Sequence, residues 1–324
     1  MPMNIVVFGK DGQLGKAFQN LLQITAADLD SPPDIKYIGR AECDLSDALA
    51  LQILLDESNP NFIINAAAYT AVDKAEGEMD LAFAINAKAP EVMARYAAKQ
   101  GATFLHYSTD YVFDGEKYGF YLEDDIQNPL GVYGKSKAAG EEAITRAFAE
   151  TSGKSTGQFA IFRTSWVYGE GGNFIRTILR LAKERDALKI IDDQYGVPTG
   201  AQWLAQVSLA LALNDRLGPR TFPSGIYHAV PAGETTWYGL ACLAVQAAHD
   251  AGIQLKVKQG GIQPILAQEY PLPAPRPMNS RMSTDKLRLS LEGQGDMSKL
   301  GLLNQSWDVG VKAYVSQLAK DGLI

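Results

Sequence analysis

Asn4-Ile5-Val6-Val7-Phe8-Gly9-Lys10-Asp11-Gly12-Gln13-Leu14-Gly15 is the most informative stretch of this 324-residue chain. It begins as an apolar, β-branched run typical of a buried strand, and helix-like sequence follows from residue 14. Between the two stand three glycines, each three residues after the last. Such a turn lets the backbone approach a pyrophosphate closely, and the N-terminus of the helix attracts the anion. The stretch therefore predicts a dinucleotide site whose residues are Gly9, Asp11, Gly12, Gln13, Leu14 and Gly15.

The rest of the first half alternates short apolar runs with longer helix-like segments. Strands are predicted at 4–8, 35–38, 62–65, 103–107 and 159–163. Helices are predicted at 14–24, 81–99 and 135–149, and the second is opened by Asp80 and closed by Gly101. This alternation is typical of βαβ units, so the predicted fold class is α/β, a doubly wound parallel sheet of the Rossmann type.

The pattern changes after Gly169. Helix-like segments follow at 174–184, 201–213 and 236–251, and a proline-rich stretch covers 264–277. We predict an NADP-binding Rossmann domain at 1–168 and a smaller, mainly substrate-binding domain at 169–324. A strand-like run at 226–230 is a candidate for a later return of the chain to the main sheet.

Composition narrows the classes of function. With 46% hydrophobic and 21% charged residues the chain is globular, and its net charge of −7 disfavours nucleic-acid binding. No apolar run approaches the ~18 residues of a membrane span, and no signal-peptide pattern is present, so we predict a cytoplasmic protein without a membrane partner. Cys43 and Cys242 lie far apart, which is typical of a reducing compartment and excludes a clustered zinc site.

The end of the second strand bears on the choice of cofactor. Arg40 stands there, and an arginine at this position favours the 2′-phosphate of NADPH, although such arginines are also common as solvated surface. NADH stays possible. Asp44 and Leu45 follow closely enough to reach the adenine edge. Three small residues end the third strand and allow backbone to approach a cofactor, although close packing also explains them; they are Ala66, Ala67 and Ala68.

Candidate catalytic groups follow the later strands. Tyr133 and Lys137 are four residues apart, which places them on one face of a helix. About one such pair is expected by chance in a chain of this composition. Their position in the chain supports a catalytic role, because Thr109 and Asp110 stand at the end of the preceding strand, where α/β sheets place ligands. His106, within that strand, is more typical of a packed core histidine than of a base.

With these motifs the sequence resembles the extended short-chain dehydrogenase/reductase family. The resemblance covers nearly the whole chain and is carried by the runs 8–15, 65–76, 106–113, 133–137, 163–168, 193–199 and 276–281. It implies that Tyr133 donates a proton to a carbonyl, that Lys137 holds the nicotinamide ribose and keeps the tyrosine acidic, and that Thr109 binds the substrate oxygen. The residues that it places on the substrate are Thr109, Asp110, Trp166, Asn173, Arg276 and Asn279.

Within that family the sequence is most similar to reductases of nucleotide sugars. The resemblance implies NADPH-dependent reduction of the C4 ketone of dTDP-4-dehydro-6-deoxy-L-mannose, a step that supplies cell-surface polysaccharide. Some members are magnesium-linked dimers whose metal is held by acidic side chains. Gln202 stands where an acid is expected, although Asp308 keeps a carboxylate near the C-terminus. A neutral amide is a poor ligand for a hard cation, so we predict no metal and either a monomer or a homodimer.

Two other functions fit the same fold. Sugar-nucleotide 4,6-dehydratases and epimerases resemble the chain up to Asp110, but the dehydratases carry a glutamate next, and here that position is Tyr111. A tyrosine cannot replace a carboxylate base at neutral pH, which disfavours dehydration. A catalytically silent, NADP-binding regulatory subunit is the alternative from a different class, and fold analogy does not exclude it.

Overall fold

The structure, a computed structural model, describes residues 3–324 except 152, 154–156, 259 and 296. The strands are β1 (Asn4–Phe8), β2 (Asp34–Ile38), β3 (Phe62–Asn65), β4 (Thr103–Thr109), β5 (Gln158–Thr164), β6 (Val167–Tyr168), β7 (Leu188–Ile191), β8 (Tyr195–Gly196), β9 (Thr199–Gly200), β10 (Gly225–His228), β11 (Thr235–Thr236) and β12 (Ile262–Ile265). The helices are α1 (Gln13–Ala27), α2 (Ala48–Ser58), α3 (Val72–Ala75), α4 (Met79–Phe83), α5 (Ala89–Gln100), α6 (Val132–Glu150), α7 (Phe174–Glu184), α8 (Ala201–Ala212), α9 (Trp237–Asp250), α10 (Asp285–Glu292), α11 (Met297–Leu303) and α12 (Trp307–Lys320).

The central sheet has six parallel strands in the described part of the chain, in the order β10-β5-β4-β3-β1-β2. β1 pairs with β2 on one side and with β3 on the other. The chain therefore leaves β1 in one direction and crosses to the opposite side for β3, which opens a crevice at the carboxyl ends of these strands. Open α/β sheets bind ligands at such a switch point.

The predicted doubly wound parallel sheet is confirmed, and each predicted strand is present with its end shifted by at most two residues. Helix α2 was not predicted, although the Asp47 carboxylate caps it by accepting hydrogen bonds from Leu49 N and Ala50 N, both at 3.0 Å. The chain also returns to the sheet after α8, where β10 pairs with β5.

The predicted helix at 81–99 is present and runs without a gap from Met79 to Gln100, but a π-helical turn at Ala84–Lys88 separates α4 from α5. Asp80 lies inside α4 instead of capping it, whereas Gly101 ends α5 in the left-handed conformation as expected, with φ +72°. The Asn86 side chain in the π turn binds Tyr69 N at 2.8 Å and the Ser136 hydroxyl at 3.0 Å. These tertiary contacts explain the irregular turn, which helical periodicity cannot predict.

Apolar cores fill both faces of the sheet. Ile5 and Val7 face α1 and α8, whereas Val6 and Phe8 face the layer of α2, α5 and α6. This two-residue alternation is the side-chain period of a strand, and here both faces are covered. Each of these side chains is at most 1% exposed, and such burial contributes about 1.5–3 kcal/mol per side chain.

A second lobe packs around α7, α9 and α12, with β7 and β12 paired beside them. Pro264 lies in β12, a position that suits proline only where a strand has a free edge. The domain boundary at residue 168 stays a prediction, because α8 packs against α1 and β10 joins the central sheet although both follow that residue. None of the helices in the described ranges combines the length and apolar character that crossing a membrane requires.

The buried His228 predicts that the fold loses stability in mild acid. Its ring is fully buried against Phe113, and burial, assisted by the charge of Arg163, lowers its pKa to about 3. The unfolded chain binds this proton below about pH 6.5, so the stabilisation is complete above that pH and is lost as the pH falls towards 3. We expect the free energy of unfolding to fall by ~2 kcal/mol between pH 7 and pH 5 through this residue alone.

Urea unfolding of the wild type and His228→Gln at the two pH values measures this contribution. The wild type should lose ~2 kcal/mol more than the variant. Equal losses in the two proteins would mean that His228 is not held neutral by the fold.

Candidate active site

A cleft of about 720 Å³ opens at the carboxyl ends of the central strands. Its wall is formed by the turn after β1, the ends of β2 to β5, the N-terminal part of α6 and residues of the second lobe. The predicted site residues that line it are Gly9, Asp11, Gly12, Gln13, Leu14, Arg40, Asp44, Leu45, Ala66, Ala67, Ala68, Thr109, Asp110, Tyr133, Lys137 and Trp166. The glycine turn and the candidate catalytic groups thus share one cavity.

The glycine turn is shaped by close backbone contacts. Gly9 has φ +84°, and a Cβ there would lie 2.7 Å from Ala67 N, so only glycine fits. Gly15 does not line the cleft, because it packs under the turn, where a Cβ would overlap the Gly9 carbonyl oxygen. Gly12 is the N-cap of α1 and supplies no side-chain hydrogen bond. The first amides of α1 are therefore available to an anion in the cleft.

The far end of the cleft carries the charges expected near an adenosine ribose. Arg40 is exposed at its rim, and Asp44 accepts hydrogen bonds from the backbone and hydroxyl of Ser46. Glu42, which sequence reasoning missed, accepts from Gly39 N at 2.8 Å and pairs with Lys10 at 2.6 Å. This pairing neutralises an acid close to Arg40.

Tyr133 and Thr109 both line the cleft, and their hydroxyl groups are within hydrogen-bond reach of each other. The Thr109 hydroxyl donates to Asp110 Oδ1 at 2.9 Å and accepts from Tyr111 N at 3.2 Å. The Tyr133 ring contacts Tyr111 edge to face, with centroids 5.4 Å apart. Burial raises the pKa of Tyr133 to about 12, so its hydroxyl keeps its proton at neutral pH.

Lys137 is 1% exposed and lies beneath this pair. Its Nζ donates to the Tyr107 carbonyl oxygen and lies 3.3 Å from His106 Nε2. Burial lowers the pKa of Lys137 to about 8. The Lys137 ammonium is directed at Tyr107 and His106, and burial dominates the pKa of Tyr133. The expectation that Lys137 keeps the tyrosine acidic stays a prediction.

Helix α6, which carries both residues, is fixed by a buried ion pair. The Arg163 guanidinium on β5 binds the Glu141 carboxylate through Nε at 3.0 Å and Nη2 at 2.7 Å, and both side chains are 1% exposed. At the start of the helix Ser136 donates to the Tyr133 carbonyl oxygen at 2.8 Å. A buried two-point contact of this kind holds the helix in register against the sheet.

Asp110 is a buried carboxyl group at the cleft wall, 2% exposed. Oδ1 accepts from Thr109, and Oδ2 accepts from the hydroxyl of Ser280, a residue far along the chain. Burial raises the pKa of Asp110 to about 6, and the hydrogen bonds from Ser280 and Thr109 act to lower it. The carboxyl group thus connects the end of β4 with the C-terminal segment.

Trp166 forms the wall on the side of the second lobe. Its backbone has φ +48°, a conformation that costs of order 1–3 kcal/mol for a residue with a side chain. Its indole stacks on Trp237, with centroids 3.7 Å apart and planes 17° apart, and Phe174 packs on Trp237. Trp237 also lines the cleft and was missed, because the contact joins residues that are distant in sequence.

Three residues predicted to bind substrate do not line the cleft. Asn173 caps α7 and donates to the Gly169 carbonyl at 2.9 Å. Arg276 pairs with Asp73 at 2.9 Å, and the amide of Asn279 binds carbonyl oxygens of the 117–119 turn and the Arg281 side chain. Their polar groups stabilise loops, so they help to shape the site without reaching it in this structure.

Buried polar atoms at the cleft wall point to a ligand. In the described part of the chain, Gln13 Oε1, Ser108 Oγ and Thr164 Oγ1 are buried without a protein hydrogen-bond partner, and all three residues line the cleft. Buried polar groups are normally paired, so such atoms are typical of a site completed by a bound molecule.

The residues that the structure describes form no acidic cluster suited to a metal ion. Within the described ranges, no group of three or more His, Cys, Asp or Glu side chains could hold one. Asp308 pairs with Lys312 at 2.8 Å, and Gln202 is exposed on α8. The absence of a metal stays a prediction.

A family model described as the RmlD substrate binding domain matches residues 3–317. The chain belongs to this family. A dTDP-4-dehydrorhamnose reductase from Escherichia coli K12 is 41% identical over 324 residues, which cover 98% of each chain. The resemblance of the sequence to reductases of nucleotide sugars is thereby confirmed.

Solved structures agree with this RmlD assignment. A dTDP-4-dehydrorhamnose reductase from Clostridium acetobutylicum superposes with a TM-score of 0.81 at 33% identity, over 98% of this chain and 99% of that one. A dTDP-4-dehydrorhamnose reductase from Bacillus anthracis, solved in complex with NADP, superposes with a TM-score of 0.80 at 30% identity, over 98% of this chain and all of that one.

Proposed function

We propose that the chain reduces the C4 ketone of dTDP-4-dehydro-6-deoxy-L-mannose with NADPH and so completes the synthesis of dTDP-L-rhamnose. The observation that carries the proposal is the meeting of Thr109, Tyr133 and Lys137 at a cleft that also contains the glycine turn. Full-length relatives at about 40% identity are dTDP-4-dehydrorhamnose reductases.

The cleft fits a nicotinamide dinucleotide. Gly9 and the uncapped amides at the start of α1 suit the pyrophosphate, and Arg40 suits the 2′-phosphate of NADPH. Asp44 and Leu45 lie where the adenine would bind, and the small residues of the 66–68 turn leave room for the cofactor. When bound, NADPH supplies the hydride that reduces the ketone.

Tyr133 is the proton donor in this proposal. With a pKa of about 12 its hydroxyl is protonated through neutral pH, so the proton is available when negative charge develops on the ketone oxygen. Thr109 can bind the same oxygen by turning its hydroxyl proton from Asp110 Oδ1 to the ketone, and the fold holds both side chains in place before the charge appears.

We assign Lys137 to two roles, binding of the nicotinamide ribose and stabilisation of Tyr133 during proton transfer. Its ammonium form stabilises the tyrosinate that remains after proton donation. Because the pKa of Lys137 is about 8, the rate should fall as the pH rises through that value. On the substrate side we assign Asp110 and the stacked pair of Trp166 and Trp237 to the sugar.

The alternative functions receive less support. Tyr111 occupies the position of the dehydratase base, and burial raises its pKa, so it stays protonated and cannot remove a proton from carbon. The complete set of Thr109, Tyr133 and Lys137 favours turnover over a silent regulatory role. The cytoplasmic location and the monomeric or dimeric state remain predictions.

A coupled assay tests the proposal. The 4-keto-6-deoxy-L-sugar nucleotide is generated in situ by the upstream epimerase, NADPH oxidation is followed by absorbance, and the product is identified by chromatography. We expect NADPH oxidation and dTDP-L-rhamnose formation in equal amounts, and none when the epimerase is omitted. Tight NADPH binding without oxidation would instead favour the regulatory function.

Arg40 should determine the preference for NADPH. A charge-assisted contact to the 2′-phosphate contributes about 1.5–3 kcal/mol, so Arg40→Ala should raise the KM for NADPH about tenfold to a hundredfold and leave that for NADH nearly unchanged. Lys36→Ala removes an exposed cation from β2, the strand that ends just before Arg40, and serves as the control. If both cofactors are affected equally, Arg40 does not read the phosphate.

A further inference from the structure

A buried polar chain extends from Lys137 into the sheet. His106 lies on β4 beside Asn65 on β3, and both are fully buried. Asn65 Nδ2 lies 3.1 Å from His106 Nδ1, and His106 Nε2 lies 3.3 Å from Lys137 Nζ. The histidine therefore connects a neutral amide with the lysine beneath the site.

The hydrogen-bond partners determine where the histidine carries its proton. Ala67 N donates to Asn65 Oδ1 at 3.2 Å, which fixes the amide so that its NH₂ group faces the ring. Nδ1 must then accept a hydrogen bond and carries no proton. Burial holds the pKa of His106 well below its ordinary value, so the ring is neutral. A neutral ring without a proton on Nδ1 carries it on Nε2, the atom that faces Lys137.

An N–H group directed at Nζ favours the neutral amine form of Lys137 over the ammonium form. A neutral amine has a lone pair that can accept this hydrogen bond, whereas an ammonium has only donors and would oppose it. The Tyr107 carbonyl oxygen instead favours the protonated lysine, because it accepts a hydrogen bond from Lys137 Nζ. Of the other charged groups, Glu141 on α6 acts to raise the pKa of Lys137, and its carboxylate is already paired with Arg163 on β5. Tyr133 lies one helical turn before Lys137 on α6, and Asp110 after β4 acts on Tyr133.

We propose that His106 is a positioning residue that presents its Nε2–H to Lys137 and so sets the upper pH limit of the reaction. This rests on the proposed function, because Lys137 matters to the rate only if Tyr133 donates a proton. His106 does not line the cleft. It acts by setting how readily Lys137 gives up its proton.

The protonated nitrogen of His106 can be observed without any activity. The chain has three histidines, so long-range ¹H–¹⁵N NMR of the labelled wild type resolves their rings, with His228→Gln and His249→Gln used for assignment. From about pH 6 to about pH 9 we expect His106 to carry one proton, on Nε2. A proton on Nδ1, or a doubly protonated ring in this range, would overturn the proposal even if the enzyme is active.

The pH dependence of kcat tests whether His106 controls the protonation of Lys137. In His106→Gln the amide oxygen can accept from an ammonium, so the pKa of Lys137 should rise and the decline of kcat at high pH should begin about one pH unit higher. His228→Gln makes the same chemical change at another buried histidine and should keep the wild-type profile. A decline at the wild-type pH in His106→Gln, or an equal displacement in His228→Gln, would overturn the proposal. If the wild type oxidises no NADPH, the proposed function fails, and the NMR measurement still decides the state of His106.

Discussion

Tyr133→Phe should lower kcat by about 10²–10⁴-fold, because general acid catalysis contributes that much and the variant lacks the proton. The loss should appear in kcat instead of KM, since the proton moves only as the transition state forms. The variant deletes a single oxygen from a half-buried ring that packs against Tyr111, so the fold should survive.

NADPH binding, followed by fluorescence, controls for damage to the site. The phenylalanine variant should bind the cofactor as the wild type does and fail only in reduction, measured in a single turnover. Reduction within a few-fold of the wild-type rate would mean that another group protonates the ketone and that the proposed mechanism is wrong.

Thr109→Val should lower kcat by about 10²-fold, comparable with the loss of one donor from an oxyanion site. Valine keeps the shape and β-propensity of threonine at the end of β4. It also removes the partner of Asp110 Oδ1 and of Tyr111 N, so the carboxyl group and the following turn lose one hydrogen bond each.

A second threonine on the same strand separates these effects. Thr103→Val changes a buried threonine at the opposite end of β4, where its hydroxyl accepts from Gln158. That variant should keep the wild-type kcat. Equal losses of kcat in the two variants would assign the effect to the strand and remove Thr109 from the chemistry.

Features set by neighbouring residues were predictable. The apolar strand, the glycine turn and the first helix are consecutive in sequence, so their order alone predicts the dinucleotide cleft. The pairing of Tyr133 with Lys137 follows from the period of one helix. The strand ends at Arg40 and Thr109 were placed correctly at the cleft because parallel strands bring their carboxyl ends to the same edge.

Features set by contacts between distant segments were not predictable. Asn173, Arg276 and Asn279 are polar residues whose side chains contact neighbouring loops, and the sequence does not show these contacts. Their predicted role in substrate binding stays a prediction. The stack of Trp166 on Trp237 joins residues that are distant in sequence. His106 was expected to be a packed core histidine, and it is buried, but its contact with Lys137 depends on how α6 lies against β4.

The pKa values of Tyr133 and Lys137 also depend on contacts that form only in the folded chain. Proximity in sequence suggested that Lys137 would lower the pKa of Tyr133, whereas burial raises it to about 12. Burial is a property of the assembled fold, and it lowers the pKa of Lys137 at the same time. A protonated tyrosine above a lysine with a pKa of about 8 suits reduction near neutral pH.

Isotope transfer tests the central claim most directly. The wild type is mixed with NADPH carrying deuterium at the transferable C4 position and with the 4-keto-6-deoxy-L-sugar nucleotide, and the sugar product is analysed by NMR and mass spectrometry after one turnover. We predict dTDP-L-rhamnose with one deuterium at sugar C4, and the same transfer at a greatly reduced rate in Tyr133→Phe. Recovery of the ketone unchanged from wild-type protein saturated with NADPH, or a product without deuterium at C4, would contradict the proposed reaction.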